Sequence, residues 1–400
     1  MRAFVLLTAV SFTVFLAGGL SYPVMSLRVR ELGASYADIG LIQACFQVTS
    51  LASLYFWGSR TDRLGRRKPI ALLGLAGMGV GHFLLYQADS LWILFVVRAV
   101  EGLAGSAYAV CSLTLVGDVL ERRQVRGWLM AAWRSFGSLS FSLAAFLAGN
   151  VVDALGLRAP FLLAALAYAA AFLLLALIAE SPPVGSASAG GSDGLPGAFP
   201  GPQDGWAVVG RFLPFLVVSF AYSLLVSAGE PLLPVYLVEQ GVERTTTVRL
   251  LAVAAMAEVP SLLVGGHLAD RFGRRSLIAA AFLVASLTLT FWSRVPLMPW
   301  VIGAMIAWGS AFAVFTAASM LYATEMTGRQ GRGKSVSLYN TAARAGSLLG
   351  AGIGGGLGQL LGISTMLQVC SVVALLASLY ALRKLPEVKA AAPGVGAEPA

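Results

Sequence analysis

"GSRTDRLGRRK", Gly58 to Lys68, packs five basic residues and one aspartate into eleven positions between two apolar runs, and "GGHLADRFGRRS", Gly265 to Ser276, nearly repeats it. The chain around these knots of charge has 400 residues, 58% of them hydrophobic and 12% charged, with a mean hydropathy of +0.79. A soluble domain is about a quarter charged, so this composition is that of a polytopic membrane protein. The net charge of +9 lies mostly in short connections between apolar runs. A nucleic-acid partner needs a basic face on a soluble module, and none is expected here.

A bilayer core takes roughly 20 apolar residues per helix. That window predicts spans near 4–27, 37–58, 69–88, 91–115, 128–149, 159–179, 208–237, 247–267, 276–293, 298–322, 334–359 and 363–383. The fold class expected is therefore all-α, with twelve transmembrane helices. The first segment has no small-x-small cleavage pattern and is expected to remain as a helix. The glycine run Gly350 to Gly358 is the weakest helical stretch by propensity, although in a membrane such glycines let helices approach closely.

Lys and Arg set the orientation. With both termini inside, the inner connections hold the opening cluster, Arg122, Arg123, Arg126, Arg211, Arg271, Arg274, Arg275, Arg329, Arg332 and Lys334, while the outer set is only Arg28, Arg30, Arg158, Arg244, Arg249 and Arg294. The positive-inside rule places both termini in the cytoplasm. Residues 181–206 are rich in Gly, Pro and Ser, as a flexible linker is. They divide an N-terminal six-helix bundle, 1–180, from a C-terminal one, 207–385, ahead of a disordered tail, 386–400.

The two bundles are related to each other. Pro23 and Pro231, Glu31 and Glu239, Gly33 and Gly241, Asp62 and Asp270, and Gly65 and Gly273 are each 208 positions apart. Parallel repeats with a substrate path between them are a recurrent transporter plan.

These residues carry a family resemblance. Gly-x-x-x-Asp-x-x-Gly-Arg-Arg-Lys between the second and third spans resembles the signature loop of the major facilitator superfamily. "RAVEG", Arg98 to Gly102, resembles that superfamily's fourth-helix motif. "GGLSYPVMSLRVRELGAS" with the stretch after it is most similar to the twelve-helix drug:proton antiporter branch. The fifth span departs from that branch, since Ser135 to Gly149 holds no proline where a Gly-Pro antiporter motif is usual. The resemblance implies a gating role for Gly58, Asp62, Gly65, Arg66 and Arg67, and in the repeat for Gly266, Asp270, Gly273 and Arg274. It implies that Asp62 faces the eleventh span near Gly333 and Lys334, and Asp270 the fifth near Gly127, latching the halves on the cytoplasmic side. The alternative for the basic residues is a plain topology anchor.

Charges within spans cost roughly 2.5–3.5 kcal/mol each at a helix centre, so each needs a reason. They are Arg98, Glu101, Arg134, Glu230, Glu258 and Arg344. Arg98 and Glu101 share a helix face and either neutralise each other or serve proton transfer. Arg134 and Glu258 both lie roughly 10–12 Å above the cytoplasmic ends of their spans, and the expectation is that they pair when that side is closed. Glu230 corresponds in the repeat to the uncharged Tyr22, an asymmetry that favours function over architecture; the alternative is an outer-edge carboxylate in water. An acid in an apolar cavity is suited to carry a coupled proton or to meet a cationic substrate, whereas Arg344 would attract an anion. His82 and His267 are expected to be structural, and Tyr22, Tyr108, Tyr222, Tyr236 and Tyr339 are cavity candidates, with packing an equal alternative for each. Trp57, Trp92, Trp206, Trp292 and Trp300 fall where an interfacial belt would lie.

Cys45, Cys111 and Cys370 have neither disulfide nor metal-site spacing and read as packing residues. There is no nucleotide loop, HExxH or GxSxG, so an enzyme is not expected. The function expected is secondary active transport by alternating access in a bacterial-type inner membrane. The leading form is proton-coupled efflux of small organic molecules, and the alternative is uptake or facilitated diffusion of a sugar, organic anion or similar metabolite. The expected partners are a small-molecule substrate and the bilayer, with protons for coupling, no other cofactor and a monomeric chain.

Overall fold

The computed structural model describes residues 2–64, 66–120, 126–178, 205–294, 298–326 and 332–387. Lipid offers the backbone no hydrogen-bond partners, so a chain this apolar satisfies its N–H and C=O groups within helices. Thirteen helices are found among the described residues. The first half holds α1 (Arg2–Glu31), α2 (Tyr36–Leu64), α3 (Lys68–Gln87), α4 (Leu91–Leu120), α5 (Arg126–Leu155) and α6 (Ala159–Ala176). The second holds α7 (Gly205–Gly229), α8 (Leu233–Glu239), α9 (Arg244–Phe272), α10 (Arg274–Trp292), α11 (Met298–Glu325), α12 (Arg332–Leu361) and α13 (Ile363–Lys384).

Twelve spans become thirteen helices because the seventh is broken. Pro231 and Pro234 have no N–H to donate, and α7 ends at Gly229 before α8 restarts at Leu233. Helix α7 also begins at Gly205, inside the stretch expected to be linker. The rest of that linker, and the tail beyond Glu387, lie outside the described residues.

The same packing plan occurs twice. In the first half α1 lies on α5 and α6, α2 on α4, and α3 on α4 and α6; in the second α7 lies on α12 and α13, α9 on α11, and α10 on α11 and α13. Between the halves the main contacts are α5 with α9 and α2 with α12. Ten helical stretches are long and apolar enough by themselves to cross a membrane, α7 and α8 counting as one; α9 and α12 are not among them. Both are sandwiched, α9 between α5 and α11 and α12 between α2 and α7.

The glycine run in α12 is fully helical. Gly346, Gly350 and Gly354, each four residues on, press against the backbones of Phe220, Leu224 and Ala228 on α7 with the same spacing. Gly355 turns to the other side and meets α2 at Tyr36 and Gly40. Helix association in lipid depends on close van der Waals packing, so what propensity counts against this stretch is what lets it touch two neighbours.

Apart from Tyr22 and Glu230, which meet in the interior, the polar contacts between the halves among the described residues fall at one end, the end remote from the signature loops. Arg30 donates to Glu239 at 2.9 and 3.1 Å, Tyr36 donates its hydroxyl hydrogen to Glu239, and Gln359 accepts from the Tyr36 backbone at 3.1 Å. Arg244 lies 3.6 Å from Glu31, and Arg249 donates to Asn150. The 208-residue offset relates Glu31 to Glu239 and Tyr36 to Arg244. The Glu31 to Arg244 and Glu239 to Tyr36 contacts are therefore one contact made twice, crossed between the halves. The structure is sealed at this end.

The signature loops lie at the opposite end. Arg67 pairs with Asp118 on α4, and Lys68 caps α6 through the carbonyls of Ala176 and Ile178 at 2.9 and 2.6 Å. In the second half Arg274, 2% exposed, meets Glu325 on α11 at 2.9 Å, and Arg275 reaches the Leu385 carbonyl beyond α13 at 3.5 Å. The described cations thus tie each bundle to itself, and three of the four reach helix C-terminal ends, where a positive charge is favoured. Arg66 is exposed, Gly58 is buried in α2, and Gly273 (φ 83°) forms the left-handed turn between α9 and α10. The side chains of Asp62 and Asp270, with Gly65 and the surroundings of Gly266, lie outside the described residues, as do Gly127, Gly333 and Lys334.

Candidate functional site

Three adjoining cavities run between the halves. The first, about 210 Å³, is lined by α1, α2, α3, α4, α6, the α7/α8 break and Leu251 of α9, with Ser21, Tyr22, Gln43, His82, Arg98 and Glu230 among its polar groups. The second, about 60 Å³, shares Tyr22, Glu230 and Leu251 with it and adds Glu258 of α9. The third, about 260 Å³, shares Phe46, Met78 and Tyr168 with the first and adds Tyr108 and Arg344. Each is smaller than the roughly 300–1,000 Å³ of a usual ligand pocket, but the shared walls make one branched path. Its lining is mostly apolar with a few converging polar groups, the pattern of a small-molecule site.

The helix break places Glu230. The chain turns at Glu230 to Leu232 instead of continuing, and the carboxylate comes to the wall between the first two cavities beside Tyr22. Tyr22 is 42% exposed although it sits in the interior, because its accessible area faces the cavity. Neither Glu230 nor Glu258 has an ion-pair partner among the described residues. The structure thus brings Tyr22, Glu230 and Glu258 together, and Arg344 stands apart with Tyr108 in the third cavity.

Arg98 and Glu101 form a buried pair. Arg98 Nη1 donates to Glu101 Oε2 at 2.8 Å and Nη2 to Gln43 Oε1 at 3.2 Å, with the guanidinium 4.2 Å from the centre of the Phe46 ring. His82 Nδ1 lies 2.8 Å from Glu101 Oε1. Gly81 lets that carboxylate in, since a Cβ there would stand 2.7 Å from Glu101 Cγ. Gln43, Phe46 and His82 were not legible as site residues. The available signal was a glycine next to the sole histidine of the first half, opposite a buried acid.

Other expectations resolve differently. Arg134 is exposed and no ion pair joins it to Glu258 in this structure, whose closed end is the opposite one. Tyr222 is core, stacked on Phe315 with ring centres 3.6 Å apart, Tyr236 is buried, and Tyr339 stacks on Phe215. Trp92 and Trp300 are exposed as a belt requires, but Trp292 is buried against Trp308, and Trp57 donates its indole N–H to Leu103. The side chain of Trp206 lies outside the described residues. His267 is exposed.

Two helical bundles packed by the same plan, with a branched, charge-bearing cavity between them and a seal at one end, define a membrane transporter of small molecules. The profile of the Major Facilitator Superfamily matches residues 7–260 and 215–400, and the chain belongs to that family. It is accordingly an integral membrane transporter rather than an enzyme. Over 159 residues it is 31% identical to the tetracycline resistance protein, class G, of Vibrio anguillarum, a match spanning 39% of each chain. A longer match, 25% identical over 391 residues, covers 93% of this chain and 92% of the multidrug resistance protein MdtG of Citrobacter koseri. Among solved structures, the nucleoside transporter NupG (D323A mutant) superposes with a TM-score of 0.84 at 13% identity, covering 95% of this chain and 99% of that one. That likeness is one of fold.

Proposed function

We propose that the protein exports small organic molecules in exchange for protons, by alternating access, from a bacterial-type inner membrane with both termini in the cytoplasm. The observation that carries the reading is the pair of interior carboxylates, Glu230 and Glu258, without a cation partner among the described residues, in the wall of a cavity sealed at the end remote from the termini. Two such acids in an apolar setting must bind protons or a cationic group to be tolerated. One group competing for both occupants is the simplest basis for exchange. The similarity to proteins named for tetracycline and multidrug resistance supports efflux.

In this reading the structure is the inward-facing state. Substrate enters from the signature-loop side, reaches the Tyr22, Glu230 and Glu258 wall, and is released after the crossed latch opens and protons take its place. The chain works as a monomer, and protons are its only coupling partner.

The test is transport in proteoliposomes with an imposed pH gradient, using a panel of cationic, neutral and anionic dyes. Wild-type transport is expected to be gradient-driven and outward. Glu230→Gln and Glu258→Gln are each expected to reduce gradient-driven flux at least tenfold while leaving equilibrative exchange measurable. Dye movement indifferent to the gradient, or full coupling in both variants, would overturn the reading.

A further inference from the structure

His82 lies on α3, outside the helices that meet between the halves, yet it is 4% exposed and bonded on every side. Its Nδ1 lies 3.0 Å from the Met78 carbonyl oxygen and 2.8 Å from Glu101 Oε1. Both neighbours are acceptors, so Nδ1 bears a hydrogen. Its Nε2 lies 3.0 Å from Ser21 Oγ, and Ser21 Oγ lies 3.0 Å from the Ala17 carbonyl oxygen.

A hydroxyl has one hydrogen to give. If Ser21 gives it to Ala17, its oxygen must accept from Nε2, and the ring then carries hydrogens on both nitrogens and a positive charge. If Ser21 turns the hydrogen to Nε2, the ring is neutral and nothing else moves. Rotation of one hydroxyl thus accommodates both charge states of the ring.

The ring has a counter-charge at hand. Glu101 is fully buried, and the Nδ1–H of His82 lies 2.8 Å from its Oε1. A buried carboxylate needs nearby positive charge, and an imidazolium 2.8 Å from Oε1 would add to that of Arg98 on Oε2. The charged groups facing His82 are Glu101 and Arg98 from α4; α1 contributes Ser21 and α6 the Tyr168 ring, 4.9 Å away. Glu230 faces the group across the first cavity, whose wall includes both Ser21 and His82.

We propose that His82, with Glu101 as its counter-charge and Ser21 as its hydroxyl gate to the cavity, is a second proton-holding station of the transport cycle, in addition to the Glu230 and Glu258 wall. The proton enters from cavity water at Ser21 Oγ. As it arrives, Ser21 passes its own hydrogen to Nε2 and keeps the incoming one, and on release the same shift runs backwards, so no bond but O–H and N–H changes. The role in transport rests on the proton-coupled reading above; the exchange at the ring does not.

The chain has two histidines, His82 and His267. Replacing the exposed His267 (His267→Gln) leaves His82 as the sole imidazole for nitrogen-15 NMR of the full-length protein in nanodiscs. The expected result is reversible interconversion of a form with both ring nitrogens protonated and a neutral form. Glu101→Gln is expected to move the midpoint to lower pH by at least about one unit, the size of effect an adjacent opposite charge has. A single neutral tautomer from pH ~5 to ~9, or a midpoint that Glu101→Gln leaves unchanged, would overturn the proposal.

In proteoliposomes, His82→Gln is expected to lower the protons moved per substrate and to shift the pH profile of transport, with its melting temperature measured alongside. An unaltered proton count and pH profile would refute the station's part in transport. Should wild-type transport be independent of the gradient while the ring still titrates as expected, the coupled-transport reading fails and the proton site stands.

Discussion

The seal between the halves depends on α2 and α12 touching backbone to backbone, and Gly40→Ala tests it. A Cβ on Gly40 would stand 2.9 Å from Gly355 Cα and closer still to the Ala351 carbonyl oxygen. Both obstacles are main-chain atoms, so no rotamer change relieves the clash. Reaching the ordinary contact distance of 3.4 Å from 2.9 Å needs at least 0.5 Å more separation at that point. Overpacking of this kind costs about 1–3 kcal/mol, which at 1.4 kcal/mol per tenfold is roughly a 5- to 140-fold loss of the sealed state relative to one in which these ends separate. Spin labels at Asp38 and Leu360, in a background lacking Cys45, Cys111 and Cys370, would report that separation by pulsed electron resonance. Gly40→Ala is expected to shift the distribution to longer distances and slow net transport. Gly352→Ala is the control, since nothing lies within 4 Å of the Cβ it adds on the same α12. A Gly40→Ala distribution identical to wild type, or an equal shift in Gly352→Ala, would refute the reasoning.

The crossed latch should behave symmetrically. Arg30 and Glu239 are about a third or more exposed, so Glu239→Gln is expected to weaken the seal by no more than about 1 kcal/mol, roughly fivefold, and Glu31→Gln by no more; a dominant effect from one alone would show that the repeat relation is not functional. Arg274→Ala is expected to destabilise the second bundle by about 3 kcal/mol, because it leaves the Glu325 carboxylate beside a buried void. Thermal unfolding in detergent would measure it, and a melting point within a degree of wild type would count against the pair. Tyr222→Ala, which removes the ring stacked on Phe315, is expected to lower stability by about 3 kcal/mol, whereas Tyr222→Phe should be near neutral for both stability and transport; transport lost selectively in Tyr222→Phe would restore it to the cavity.

Much of the architecture is legible in the chain because the solvent imposes it. Lipid leaves an apolar run of this length one conformation, and repeated loops 208 residues apart announce two related bundles before any contact is known. The break at Glu230 is not legible, since the window reads 208–237 as one span and Pro23, the repeat counterpart of Pro231, lies inside an unbroken α1. Nor is what each interior charge faces. Arg98 and Glu101 share a face by spacing alone, but whether they only neutralise each other depends on His82, which sits on a third helix. Arg134 and Glu258 match in depth, but the pairing expected of them belongs to a state closed at the other end, and depth says nothing of which end is closed.

The same division explains the aromatics and the glycines. Tyr22 and Tyr222 are indistinguishable as sequence, and only packing sends one to the cavity and the other against Phe315. The glycine run of α12 reads as weak helix, yet it becomes the surface on which α7 and α2 both rest. The sequence by itself determined the number of spans, their orientation relative to one another and the duplication, because those follow from solvent transfer and covalent order, which act on each segment independently. The tertiary structure decided which charges are paired, which cavity wall carries Glu230 and Glu258, and which end is sealed, because those depend on the rotation and approach of helices far apart in the chain, set by contacts of a few ångströms.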